Sequence, residues 1–396
     1  MSKINFPTLP LMSIRSSISK ILCRQILVAI FFAAVALFLF YFWTAGSSVV
    51  YENRPNFGGV PPPPPPPPSH ISTPEPVKGI YMTSWVAGTP SLRNALIDFI
   101  EHSEINSIVI DIKDYSGKVA FKTMDPVVGE MQSEEERIPD IRELIDELHQ
   151  KNIYVIGRIT VFQDPFAARR HPELAVGDSR GGVWRDRKGL AYIDPGAEKF
   201  WDYIVHVSEA SERVGFDELN FDYIRYPSDG LLRYAVYPFA KGRTKEEVLE
   251  SFFIYLRKKL PATKVPISAD LFGLTTWNED DLNIGQVLEK TVPYFDYIAP
   301  MVYPSHYANG FGGFKNPAAY PYEVVHMSMA RAVERLKKMG EDPQKLRPWI
   351  QDFDLGAPYG IPEVLAEKKA VQDAGLESWM AWDAANIYTK EAYPTE

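Results

Sequence analysis

The sequence predicts a (β/α)8 TIM barrel with its last helix short or missing, preceded by a transmembrane helix and a proline-rich linker. Three observations point to the barrel. From Lys78 onward, short runs rich in β-branched and aromatic residues alternate with stretches of helical apolar spacing, eight times in about 300 residues. No Gly-rich nucleotide turn follows the first run, so a doubly wound sheet is only the fallback. Charged residues gather where the runs end, which in a barrel is the face that carries the active site.

The 396-residue chain is 45% hydrophobic and 23% charged, a globular composition. Residues 1–25 carry Lys3, Arg15, Lys20 and Arg24 and no acid, and read as a cytoplasmic basic segment. Residues 26–43 are uncharged, end in the interfacial aromatics Tyr41 and Trp43, and are long enough to span a bilayer. With the basic flank in front, an uncleaved single-pass anchor is expected, with the C-terminal domain extracytoplasmic. A cleaved signal peptide is the rival, although its apolar region is usually shorter. Residues 44–76 form a linker in which Pro61 to Pro68 must be extended polyproline, a spacer of roughly 25 Å at about 3 Å per residue. The barrel takes residues 77–396. A net charge of -9 argues against nucleic acid as a partner. The single cysteine, Cys23, excludes an internal disulfide.

Within the barrel, strands are expected at 79–85, 107–114, 154–162, 216–226, 265–272, 297–303, 347–353 and 376–382. Helices are expected at 91–103, 139–151, 197–214, 244–260, 284–292, 322–339 and 362–374. Little chain follows the eighth strand, hence the short or missing last helix.

The stretch Phe216–Pro227 organises the functional reading. Leu219, Phe221 and Tyr223 alternate with Asn220 and Asp222, so one face is apolar and the other carries an amide and a carboxylate. Buried carboxylates need a partner or a task. The bland alternative is an Asp222–Arg225 salt bridge that ties a loop. By the same alternation, strand two points Asp111 and Lys113 inward and strand three points Arg158 inward. Strand five supplies Asp270, strand six Met301 and Tyr303, and strand eight Trp382 and Asp383. Strand seven offers Gln351, Asp352 and Asp354, among which parity does not decide. Several carboxylates around one mouth with aromatic walls suit glycoside chemistry, in which one carboxyl is protonated for the leaving group and another is ionised to attack carbon or activate water. Neighbouring like charges help to divide those roles. Trp184, Tyr226, Tyr303 and Trp382 are candidate sugar platforms, and His306 lies beyond the sixth strand. No His-Glu-x-x-His, cysteine pair or Gly-x-Ser-x-Gly occurs, and no cofactor or metal is expected. A calcium site from Asp111, Asp114 and Asp222 is the alternative use of those oxygens. A structural network of Asp111, Lys113 and Arg158 is the bland one.

Several segments carry a family resemblance: Lys78-Gly79-Ile80-Tyr81, Val109 to Asp114, Trp184 to Pro195, Phe221 to Pro227 and Arg347 to Phe353. Together they resemble the bacterial glycosyl hydrolase domain family of unknown specificity, over most of residues 77–390. The resemblance implies a glycosidase-like barrel in an extracytoplasmic protein. Phe216–Pro227, Met301-Val302-Tyr303 and Trp382 are also similar to strand signatures of chitinase-type glycosidases, but Ile224 and Arg225 occupy the region of their catalytic Glu. Asp222 and Asp270 are similar in placement to the strand-four nucleophile and strand-five acid of α-amylase-like barrels, with Asp270 one carbon shorter than the Glu found there.

The expected function is a glycoside hydrolase acting on an extracytoplasmic carbohydrate polymer. Asp222 is expected as nucleophile or base and Asp270 as acid, with Arg158 and Arg225 setting their charge states. Asp111, Lys113, Asn220, Gln351, Asp352 and Asp354 are expected to bind substrate, and Tyr303 and Trp382 to form the platform. A non-catalytic polysaccharide-binding barrel and a structural envelope protein are the alternatives.

Overall fold

The computed structural model describes residues 68–262 and 265–395. The expected cytoplasmic segment 1–25, the anchor 26–43 and the linker up to residue 67 lie outside the described residues. Among the described residues, no helix is long and apolar enough to cross a membrane.

Eight strands form a closed barrel: β1 Lys78–Met82, β2 Ser107–Lys113, β3 Tyr154–Thr160, β4 Glu218–Asp222, β5 Ile267–Phe272, β6 Tyr297–Met301, β7 Trp349–Gln351 and β8 Trp379–Trp382. Each is parallel to its neighbour in chain order, and β8 returns to β1. The outer ring comprises α1 Pro90–Glu101, α2 Ile141–Gln150, α3 Glu198–Val214, α4 Lys245–Lys259, the single-turn α5 Leu288–Thr291, α6 Pro321–Met339 and α7 Ile361–Asp373. After β8 only a 3-10 turn, Lys390–Ala392, occurs among the described residues.

Local chemistry explains the elements. In α2, Ile141, Leu144, Ile145 and Leu148 recur at helical spacing and all are buried against the barrel. Thr244 caps α4 in a capping box with Glu247. Gly215 ends α3 at φ 117, a conformation that costs any other residue energy. The strand expected at 216–226 stops at Asp222 because Tyr223 turns left-handed, at φ 51. Positive φ is costly for a bulky side chain and is usually held only where the surroundings over-determine it.

Two apolar layers result. Ile108, Ile110 and Ile112 of β2 pack outward beneath the helices. Val109, Ile156, Ala299, Trp349 and Met380 fill the barrel interior. Lower down, Arg347 pairs with Glu218 at 2.7 Å, and the Tyr154 hydroxyl donates to the same carboxylate at 3.1 Å.

The expected linker does not run free to residue 76. Residues 70–77 cross the floor of the barrel. The Ile71 N–H donates to Asp217 Oδ1 at 2.9 Å, Thr73 Oγ1 meets the Tyr154 hydroxyl at 3.0 Å, and the Val77 N–H donates to Ser378 Oγ at 3.0 Å. Ile71 packs against the interior layer. Asp217 is the clasp, since its second oxygen also accepts from Val155 N–H and bonds His149 Nε2, both at 2.9 Å. Removing this carboxylate strands two backbone donors, at about 1–3 kcal/mol each. Asp217→Ala should therefore lower unfolding stability by about 3 kcal/mol, read as a fall in urea midpoint at constant m value. An unchanged midpoint would show that the clasp holds nothing.

Candidate active site

Alternation on β2, β3, β4 and β5 brings Asp111, Arg158, Asp222 and Asp270 to the C-terminal mouth. Arg158 is their centre. Its Nη1 donates to Asp111 Oδ1 at 2.7 Å. Its Nε donates to Asp222 Oδ2 at 3.1 Å, and Nη2 makes a further short bond to the same oxygen. Nε also lies 3.9 Å from Asp270 Oδ2. One guanidinium thus holds two carboxylates directly and stands beside a third, all four side chains being less than 10% exposed. A buried charge is costly unless its donors are used.

The two carboxyls Asp222 and Asp270 are treated differently by their surroundings. Asp222 Oδ1 accepts the N–H of Tyr223 at 2.5 Å, so both its oxygens are used as acceptors. Asp270 Oδ1 accepts from Asn220 Nδ2 at 2.9 Å and from Trp349 Nε1 at 2.8 Å. Burial first, and the Asp222 charge second, push the Asp270 carboxyl up to about 8. At neutral pH Asp270 is therefore protonated. Because Oδ1 already receives two N–H groups, the proton belongs on Oδ2.

Above this pair lies a cavity of about 410 Å³, bounded by Asp222, Asp270, Arg158 and Arg225 and by the rings of Tyr223, Phe272, Tyr303 and Trp382, among others. Trp382 lies over Tyr81, ring centres 3.9 Å apart and 17° from parallel, and Tyr81 in turn donates its hydroxyl to Asp111 Oδ2 at 2.5 Å. Burial, followed by the neighbouring Asp270 and Asp222 carboxyls, raises the Tyr303 phenol well above its ordinary value. Gly273 completes the wall, where a Cβ would sit 2.4 Å from the Met301 carbonyl oxygen.

Of the expected site residues, Asp222, Asp270, Arg158, Arg225, Tyr303 and Trp382 line this cavity, as does His306. Asp111 and Asn220 do not; they hold Arg158 and Asp270 from beneath. The remaining expectations are corrected. A register shift after Asp111 turns Lys113 out of the barrel, where it pairs with Asp164 at 2.8 Å and donates to Thr160 O. Gln351 is buried, accepting from Ser305 Oγ and donating to the Phe353 carbonyl. Asp352 is spent on Thr389 and the Tyr393 hydroxyl, and exposed Asp354 accepts the N–H of Tyr359. Trp184 is buried in a small cluster with Val176 and Tyr192, and Tyr226 packs edge-on to Tyr237. Asp222 pairs with Arg158, not with Arg225. The calcium constellation does not assemble, since Asp114 is taken by Arg137 at 2.7 Å. Among the described residues, no group of three or more His, Cys, Asp or Glu side chains converges to hold a metal.

The sequence reading missed Tyr81, Trp349 and Phe272. Trp349 lies two positions before Gln351, so one fixed inward residue on β7 would have found it by period-two counting.

Comparisons with known proteins agree with this architecture. No protein with a curated description matches. Among solved structures, the glycoside hydrolase domain of PgaB (BpsB) from Bordetella bronchiseptica is similar over 80% of this chain and 97% of that one, at 16% identity and TM-score 0.59. Alpha-L-fucosidase isoenzyme 2 from Paenibacillus thiaminolyticus is similar over 80% and 48% respectively, at 13% identity and TM-score 0.54. A hypothetical protein from Ruminiclostridium thermocellum shares 32% identity over 52% of this chain and 98% of its own, at TM-score 0.45. The first two likenesses speak to the barrel fold. The family model described as "Putative glycosyl hydrolase domain" matches residues 79–388, which includes every cavity residue named above, and the chain belongs to that family.

Proposed function

We infer that this protein hydrolyses glycosidic bonds of an extracytoplasmic polysaccharide, with residues 26–43 as its membrane anchor. The observation that carries the reading is the division of labour between two carboxyls beside one guanidinium: Asp270 protonated, Asp222 offering only acceptor oxygens. Family membership and the glycosidase-like barrel support a carbohydrate substrate.

In this mechanism Asp270 Oδ2 gives its proton to the leaving-group oxygen as the bond to the anomeric carbon breaks. Asp222 either attacks that carbon or takes a proton from the attacking water. Arg158 holds Asp222 in place and offsets part of the charge it shares with Asp111. Trp382 and Tyr303 present flat apolar faces to the sugar ring. Asn220 and Trp349 fix Asp270 Oδ1 and so leave Oδ2 as the proton donor.

Reducing-end release by the full chain, measured across a polysaccharide panel, tests the assignment. Asp222→Asn and Asp270→Asn should each lower kcat/KM by at least about 100-fold with the fold intact. Undiminished activity in Asp222→Asn would end the reading. The alkaline limb of kcat/KM should fall near pH 8, because the acid works only while protonated. Stability gives a second readout. The folded-state pKa of Asp270 is raised, so its proton favours the fold below the unfolded value and that contribution is lost as pH rises through about 8. Asp270→Asn, permanently neutral, should melt above wild type at pH 8, and the difference should shrink towards pH 4.

A further inference from the structure

One guanidinium lining the cavity makes no ion pair among the described residues. Arg225 follows the signature strand, is 7% exposed, and lines the same cavity as Asp222 and Asp270. Its Nη1 donates to the Tyr226 carbonyl at 3.0 Å and to Ser228 Oγ at 3.3 Å. Its guanidinium lies against the rings of Tyr223 and Phe272, at 4.8 and 4.6 Å from their centres. It makes no ion pair among the described residues, and neither Nε nor Nη2 has a hydrogen-bond partner there. Nor is either nitrogen among the sealed polar atoms that lack a partner, so both open onto free space.

The carboxylates nearby are already engaged. Asp111 and Asp222 both pair with Arg158, and neither pairs with Arg225. Asp270 is neutral at physiological pH, and burial disfavours the charged form of His306. A guanidinium this deeply buried is costly unless paired, and contact with two aromatic rings offsets only part of that cost. The side chain is held rigid by Nη1 and the two rings, so its remaining edge is a fixed planar fork. That fork matches a carboxylate in geometry as well as charge.

We propose that the sugar bound in this cavity carries a carboxylate, received bidentately by the Nε and Nη2 groups of Arg225. The proposal rests on the glycosidase reading of the same cavity and names its substrate class: an acidic glycan, built from uronic or lactyl-bearing sugars, rather than a neutral one.

Ligand-observed NMR titration of the full chain in detergent micelles tests this directly. The probes are glucuronate, galacturonate, mannuronate and N-acetylmuramate, each beside its neutral counterpart, glucose, galactose, mannose and N-acetylglucosamine. At least one acidic sugar should bind about 30-fold or more tighter than its counterpart. Arg225→Gln should reduce that preference to within about threefold, and Arg225→Lys should keep part of it, as charge without the fork. The proposal is overturned if no acidic sugar is preferred, a result that needs no variant, or if the preference survives Arg225→Gln. Reducing-end release from acidic polysaccharides and from their carboxyl-reduced forms separates this from the activity itself. Release that is as fast after reduction, yet lost in Asp222→Asn, would overturn the acidic substrate and keep the hydrolase. An Arg225-dependent preference with no release from any polymer would keep the acidic ligand and overturn the hydrolase.

Discussion

A buried guanidinium cannot lose its proton, so everything around Arg158 has to accommodate its charge. Asp111 and Asp222 do so directly, one from each neighbouring strand. Their positions follow from the register of β2, β3 and β4, in which Asp111 lies beside Arg158 and Asn220 beside Arg158 on the other side. Shifting any one of these strands by a single residue would point a carboxylate into the apolar layer beneath the helices and leave the guanidinium unmatched. The ion cluster therefore specifies register as much as it specifies chemistry.

Asp270 is the consequence of that arrangement. Burial is the first reason that it stays protonated, and with Arg158 already bonded to two carboxylates the Asp222 charge makes ionising harder still. The proton is retained because the guanidinium beside it is already engaged. Arg225 lines the same cavity and makes no ion pair among the described residues. The cavity is thus asymmetric, with a protonated acid on one wall and an unpaired cation on another.

Much of this was legible in the sequence. Eight alternations of period two and period 3.6 define the barrel, and parity alone places Asp111, Arg158, Asp222 and Asp270 at one mouth. Parity fails where the backbone departs from the regular pleat. The shift after Asp111 reverses Lys113, and no propensity in Ile112-Lys113-Asp114 announces it. Strand seven is short, three residues, and is followed directly by Asp352, Phe353 and Asp354, so without a neighbour to set the register the sequence did not decide whether Trp349 and Gln351 or Ile350 and Asp352 face inward. Asp352 and Asp354 read as site carboxylates because their actual partners, Thr389, Tyr393 and Tyr359, are distant in sequence or belong to a loop. The floor was hidden for a similar reason. Residues 70–77 have linker composition, and only the tertiary partners Asp217, Tyr154 and Ser378 reveal that they belong to the barrel body.

Where an eighth helix would cover the seam between β8 and β1, irregular chain does so instead. Tyr388 donates to the Tyr81 carbonyl and accepts the Tyr81 N–H, and Asn386 bonds both Thr83 and Tyr81. Irregular segments open more readily than helices, since each hydrogen bond stands with little cooperative support. Tyr81 is also the ring on which Trp382 rests. Loosening of the last dozen described residues, by a fused tag or a proteolytic nick, would be felt as a softened Trp382 wall of the cavity long before the barrel itself came apart. The carboxyl-terminal segment is in that sense a tuning element of the cavity wall.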